Sequence, residues 1–159
     1  MSVPRDRVSF GAHVFPFVGL RGVSVPPADV PFLPLRLRLP AGRRCLPFNA
    51  VLDTGSTHTV LPFALAEDLG LPSEGGTSTM EGAAADFETT IARCDLAIAD
   101  AGFPDVNCWE INGLEIRVGA REARIRRPVI GWDVLGLFDL ALSQARDRIE
   151  LRLAANRAP

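Results

Sequence analysis

The chain has 159 residues, 47% of them hydrophobic and 23% charged, the balance of one globular domain rather than two. A net charge of −2 and an isoelectric point near 5.7 weigh against nucleic acid as a partner. Every basic residue is an arginine and tyrosine is absent, which excludes a Schiff-base lysine and a catalytic tyrosine. His13 and His58 are too few for a multi-histidine metal centre, so no metal or other cofactor is expected.

Cys45, Cys94 and Cys108 are odd in number and lack C-x-x-C spacing. They fit neither a disulfide framework nor a zinc site, and read as thiols in a reducing compartment. The opening MSVPRDRVSF lacks the apolar stretch of a signal peptide. No apolar run approaches the roughly 18 residues of a membrane span, so no membrane is expected as a partner and a cytoplasmic location is.

Along the chain, eight prolines fall before residue 50. Proline breaks helices and cannot donate to a β-ladder. Residues 1–31 therefore read as a Pro-rich arm with one edge strand between Val8 and Val18. Leu35 to Leu39 alternates with period two, the mark of a half-buried strand. A turn at 40–43 joins it to a second strand, Cys45 to Leu52. Thr57 to Leu61 is a short strand, and Pro62 opens a helix that ends at Gly70. Strands follow at Thr77 to Met80 and Phe87 to Ile98. Val106 to Val118 carries strand signals that Asn112-Gly113, a turn dipeptide, is expected to interrupt. The basic stretch 121–127 reads as a solvated connection. Val129-Ile130-Gly131 is apolar, Trp132 to Leu137 forms a short helix, and Phe138 to Leu142 pairs with Ile149 to Leu153. Many short strands with one or two brief helices point to an all-β barrel or sandwich.

The chemistry concentrates in Ala50-Val51-Leu52-Asp53-Thr54-Gly55-Ser56. An aspartate that follows an apolar strand and precedes Thr-Gly lies where the strand turns. Its carboxylate is expected to accept from the Gly55 N–H and from the Ser56 hydroxyl, both of which favour the charged form. Taken by itself the pattern also suits a turn-capping aspartate. Ile98-Ala99-Asp100-Ala101-Gly102 lacks the hydroxyl residue, and Asp100 reads as a turn residue. Asp133 reads as a capping or solvated residue. His58 reads as structural, because no acid is placed to orient it and Gly-x-Ser-x-Gly is absent.

Val51 to Ser56, Thr59-Val60-Leu61-Pro62 and Val129 to Leu135 together resemble the retropepsin-like aspartic proteases, the single-lobed relatives of pepsin. The resemblance covers residues 32–153, leaving 154–159 as a tail. It implies a closed acid-protease β-barrel with Asp53 as the catalytic aspartate. Thr54 would brace the paired loops, Gly55 would line the cleft and Ser56 would complete the active-site loop. Val129, Ile130 and Gly131 would support that loop. Met80, Glu81, Gly82, Ala83 and Ala84 fall where the family has its substrate-covering flap. Retroviral members often pair an acid with an arginine at the positions held here by Thr57 and Trp132, and Trp132 is expected to pack on the loop instead.

The mechanism the resemblance implies needs two carboxylates around one water, and they share one proton because both cannot be charged cheaply. With one Asp-Thr-Gly per chain, the pair must come from two copies of Asp53 in a homodimer. The reading is an aspartic endopeptidase acting on a peptide or protein substrate. The rival is a catalytically weak, protease-like dimerisation or peptide-binding module.

Overall fold

Leucines alternate through Phe32-Leu33-Pro34-Leu35-Arg36-Leu37-Arg38, and Leu33, Leu35 and Leu37 are fully buried on one face of the strand they form. The computed structural model describes residues 31–38, 45–82, 86–100, 106–123, 125–143 and 148–154, and the backbone of 13–15. In chain order these residues form β1 (His13–Phe15), β2 (Phe32–Arg38), β3 (Phe48–Leu52), β4 (Val60–Leu61), α1 (Phe63–Asp68), β5 (Thr77–Met80), β6 (Phe87–Ala99), β7 (Asn107–Gly119), β8 (Val129–Ile130), α2 (Trp132–Leu135), β9 (Phe138–Ser143) and β10 (Arg148–Leu153).

Six of the strands close on themselves in the order β2-β3-β8-β4-β7-β6, with β6 returning to β2, and β5 adds to the outside of β6. The barrel is mixed: β3–β8 and β4–β7 are parallel and the other pairs antiparallel. Closure removes the free edges that would otherwise invite aggregation. Leu96 and Ile98 from β6 and Ile111, Leu114 and Ile116 from β7 join the three leucines in one core. Each such side chain contributes about 1.5–3 kcal/mol on burial. A separate three-stranded sheet, β1-β10-β9, is tied to this core where the Phe138 ring meets Trp109 at 4.8 Å. The chain is thus the all-β barrel the sequence predicts, with two short helices among the described residues.

Four expectations change in detail. Asn112-Gly113 does not interrupt a strand, because β7 runs unbroken from Asn107 to Gly119. The pairing with β6 instead slips between Cys94 and Leu96, which face Leu114 and Ile111. Asp95 takes the Gly113 N–H on its Oδ1 at 2.8 Å, and Gly113 adopts φ 64°. The dipeptide therefore makes a β-bulge, which needs the same left-handed glycine as a tight turn. Gly113→Ala is expected to lower stability by about 1–2 kcal/mol, read as a lower midpoint in denaturant unfolding. Second, the strand expected from Cys45 begins at Phe48, after Pro47, which has no N–H to donate. Third, the strand expected from Thr57 shrinks to Val60–Leu61, because the Ser56 and Thr57 carbonyls and the Thr59 N–H bond to α2. Fourth, Arg36 is only 5% exposed although its neighbours in the alternation fill the core. Its Nη1 donates to Asn107 Oδ1 at 2.9 Å, and Asn107 Nδ2 donates to Glu110 Oε1 at 2.7 Å. Of the expected edge strand, β1 pairs with β10, and the remainder lies outside the described residues, as does the turn at 40–43.

Candidate active site

β3 ends at Leu52 and the chain turns at once, with the Ser56 N–H donating to the Asp53 carbonyl at 3.2 Å. The Gly55 N–H donates to Asp53 Oδ1 at 2.8 Å, as the sequence predicts. Bonds from a backbone N–H to a carboxylate are among the stronger ones, and this one orients the Asp53 side chain at an exposed loop.

β8 lies parallel to β3, pairing Val51 with Val129 and Leu52 with Ile130, and the Asp53 N–H donates to the Ile130 carbonyl at 3.1 Å. The chain then enters α2, whose first N–H groups would otherwise be orphans. The Trp132 N–H donates to the Ser56 carbonyl at 2.9 Å and the Asp133 N–H to the Thr57 carbonyl at 3.1 Å. The Asp53 loop and the apolar-apolar-Gly segment are thereby zipped together.

Two side chains complete the clamp. Thr59 is fully buried, and it gives its N–H to Asp133 Oδ2 at 2.7 Å and its hydroxyl to Asp133 Oδ1 at 2.8 Å. The same hydroxyl accepts the Gly131 N–H at 3.2 Å, and Asp133 Oδ1 also accepts the Val134 N–H at 2.9 Å. Asp133 lies within the first turn of α2, whose N-cap is Gly131 without a side-chain cap bond, and its carboxylate is the strut between loop and helix. The sequence alone suggests only a capping or solvated residue there. The available signal was its place directly after the segment that passes beside the loop hydroxyls. Asp133→Ala leaves the buried Thr59 donors without an acceptor, and is expected to cost about 3 kcal/mol in urea unfolding. Trp132 meets the loop, as the sequence reading expects, through its indole, whose Nε1–H donates to the Thr54 carbonyl at 2.6 Å.

Ser56 departs from expectation. Its hydroxyl donates to the His58 carbonyl at 2.7 Å rather than to Asp53, because the turn directs residue 56 toward the returning strand. The Thr54 side chain is exposed, and the His58 ring contacts Thr57 Oγ1 at 2.8 Å. Met80 closes β5 opposite Phe87, and Glu81 and Gly82 follow it. Ala83 and Ala84 lie outside the described residues. Asp100 follows β6, where the Cys108 thiol points at its Oδ2 from 3.8 Å. The Asp133 carboxylate is thus turned to Thr59, and that of Asp100 faces Cys108.

Burial pushes the Cys94 and Cys108 thiols up to about 12, with Asp95 adding to the first and Asp100 to the second. Burial also raises Cys45. A raised thiol stays protonated at neutral pH, which makes all three poor nucleophiles. Among the described residues no group of three or more His, Cys, Asp or Glu is placed to hold a metal, and no helix is long and apolar enough to cross a membrane.

A barrel whose Asp-Thr-Gly loop is laced to an Ile-Gly segment is the retropepsin-like fold. Solved structures similar to this chain include two that share it. One is a retropepsin-like aspartic protease from Rickettsia conorii, at 14% identity and a TM-score of 0.56 over 89% of this chain and 98% of that one. The other is the EIAV protease complexed with the inhibitor HBY-793, at 19% identity and a TM-score of 0.51 over 72% of this chain and 92% of that one. No curated protein matches by sequence. The family model described as aspartyl protease matches residues 41–134, and the chain belongs to that family.

Proposed function

We propose that the chain is an aspartic endopeptidase that works as a homodimer, with residues 32–153 as its protease domain and the cytoplasm as its location. The observation that carries this reading is the exposed Asp53 carboxylate, held by the Gly55 N–H on a loop braced from behind. Two such loops meeting on a two-fold axis supply one ionised and one protonated carboxyl. The ionised Asp53 takes a proton from water as the water oxygen attacks the scissile carbonyl carbon. The protonated Asp53 donates to the carbonyl oxygen, giving a neutral gem-diol. The Asp53 that took the water proton gives it to the amine nitrogen as the C–N bond breaks, a gem-diol hydroxyl passes its proton to the other carboxylate as the product carboxyl forms, and the two carboxyls again share one proton. No cofactor enters the reaction.

In this reading the exposed Thr54 hydroxyl braces its counterpart loop, and Val129, Ile130 and Gly131 support Asp53 from below. Met80, Glu81 and Gly82, followed by Ala83 and Ala84 outside the described residues, are assigned in this reading to the flap over an extended peptide. The apolar Met80 side chain favours apolar residues beside the scissile bond, whereas Leu52 is buried in the core. Incubation with a mixed peptide library at acid pH is expected to yield internal cleavages, slowed by pepstatin-type inhibitors. Saturable binding of library peptides without any cleavage would support the binding-module reading instead.

A further inference from the structure

The Thr54–Gly55 peptide is held at both ends by different side chains. Its carbonyl accepts the Trp132 indole Nε1–H at 2.6 Å, and its N–H donates to Asp53 Oδ1 at 2.8 Å. Carbonyl and N–H belong to one rigid plane, so fixing one end fixes the direction of the other. Hydrogen bonds arranged head to tail through a peptide also polarise one another. We propose that Trp132 is a positioning residue for Asp53, acting through this peptide plane. The indole itself touches neither substrate nor the attacking water.

Such a clamp has a physical purpose here. The loop is exposed, and glycine on the far side of the peptide offers little resistance to the plane turning over. A turned plane would aim a carbonyl oxygen at the carboxylate in place of the N–H. The backbone bonds from Trp132 and Asp133 hold Ser56 and Thr57, which lie beyond the plane, and do not fix it. The indole reaches over that gap to the carbonyl itself. Trp132 is 45% exposed, so its position is not accounted for by core packing. With Thr57 opposite, the loop is fastened by a neutral donor where an ion pair is missing.

Kinetically the inference rests on the protease reading, but its first test does not require turnover. In the ¹⁵N-labelled full chain, the Gly55 amide resonance reports its bond to the carboxylate. Trp132→Phe keeps a ring and removes the N–H. Trp132→His returns an N–H, because imidazole Nε2 occupies the place of indole Nε1 in the five-membered ring. The Gly55 amide signal is expected to move upfield in Trp132→Phe and to return in Trp132→His, with the remaining spectrum nearly unchanged. An unmoved Gly55 signal in the folded Trp132→Phe chain would overturn the proposal whether or not the chain is a protease. For hydrolysis, Trp132→Phe should lose kcat on the order of 10- to 100-fold with KM within about twofold, and Trp132→His should regain most of it. Equal losses in both variants, or a change in KM alone, would contradict a positioning role.

Discussion

Asp53→Asn is expected to abolish peptide hydrolysis while the barrel stays folded. The amide oxygen still accepts the Gly55 N–H that Asp53 Oδ1 receives at 2.8 Å, so the loop keeps its shape. The amide cannot take a proton from water, and it cannot hold a proton shared between two carboxyls. General acid–base groups contribute about 10²–10⁴-fold, and this substitution removes both roles, so kcat/KM should fall by at least about 10³-fold. The residue is exposed at a loop, so its thermal midpoint should stay within about 2 °C of wild type. Initial rates on a cleaved library peptide, together with a melting curve, check both parts. Undiminished hydrolysis by Asp53→Asn would place the catalytic group elsewhere.

Gly131→Ala is the second large effect, and it acts by a different route. A Cβ on residue 131 would lie 2.5 Å from the His58 carbonyl carbon and 2.5 Å from its oxygen. Both are backbone atoms, which cannot swing aside as the end of a side chain would. β8 and the start of α2 must move away from the loop, stretching the Gly131–Thr59 and Asp133–Thr59 bonds together. Overpacking of this kind costs about 1–3 kcal/mol, which for a domain of this length lowers the melting midpoint by roughly 3–10 °C. Activity should fall further than stability alone explains, because the displaced segment carries the groups that fasten the Asp53 loop. Wild-type melting and wild-type kcat in Gly131→Ala would show that this close approach is not what shapes the site.

The parts of the molecule legible in the sequence were those encoded over a few adjacent residues. Leucines two apart announce the strand β2 directly, and the Val51 to Ser56 and Val129 to Leu135 runs carry the resemblance that implies barrel, loop and supporting segment. What stayed hidden depends on partners far along the chain. Asn112-Gly113 has the same local preference for a hairpin and for a bulge, and the carboxylate of Asp95 on the neighbouring strand decides between them. Ser56 and Asp133 have several acceptors or donors within reach by type alone. Their actual partners follow from the direction the loop takes and from β3 lying parallel to β8. Alternation turns Arg36 away from the core, and its guanidinium is nonetheless covered, bonded to Asn107 on a strand two places round the barrel.

One measurement bears most directly on the claim that two Asp53 carboxylates from separate chains make one site. Wild type is mixed with Asp53→Asn at constant total protein, and subunit exchange is verified independently by differently labelled chains. Each mixed dimer holds one aspartate and one asparagine, so only wild-type pairs hydrolyse substrate. If x is the wild-type fraction, activity should fall as x squared, and at equal amounts of the two chains it should be about a quarter of the starting value. A fall in proportion to x, with exchange demonstrated, would mean that each chain carries a complete site and that its second acid lies within the same chain.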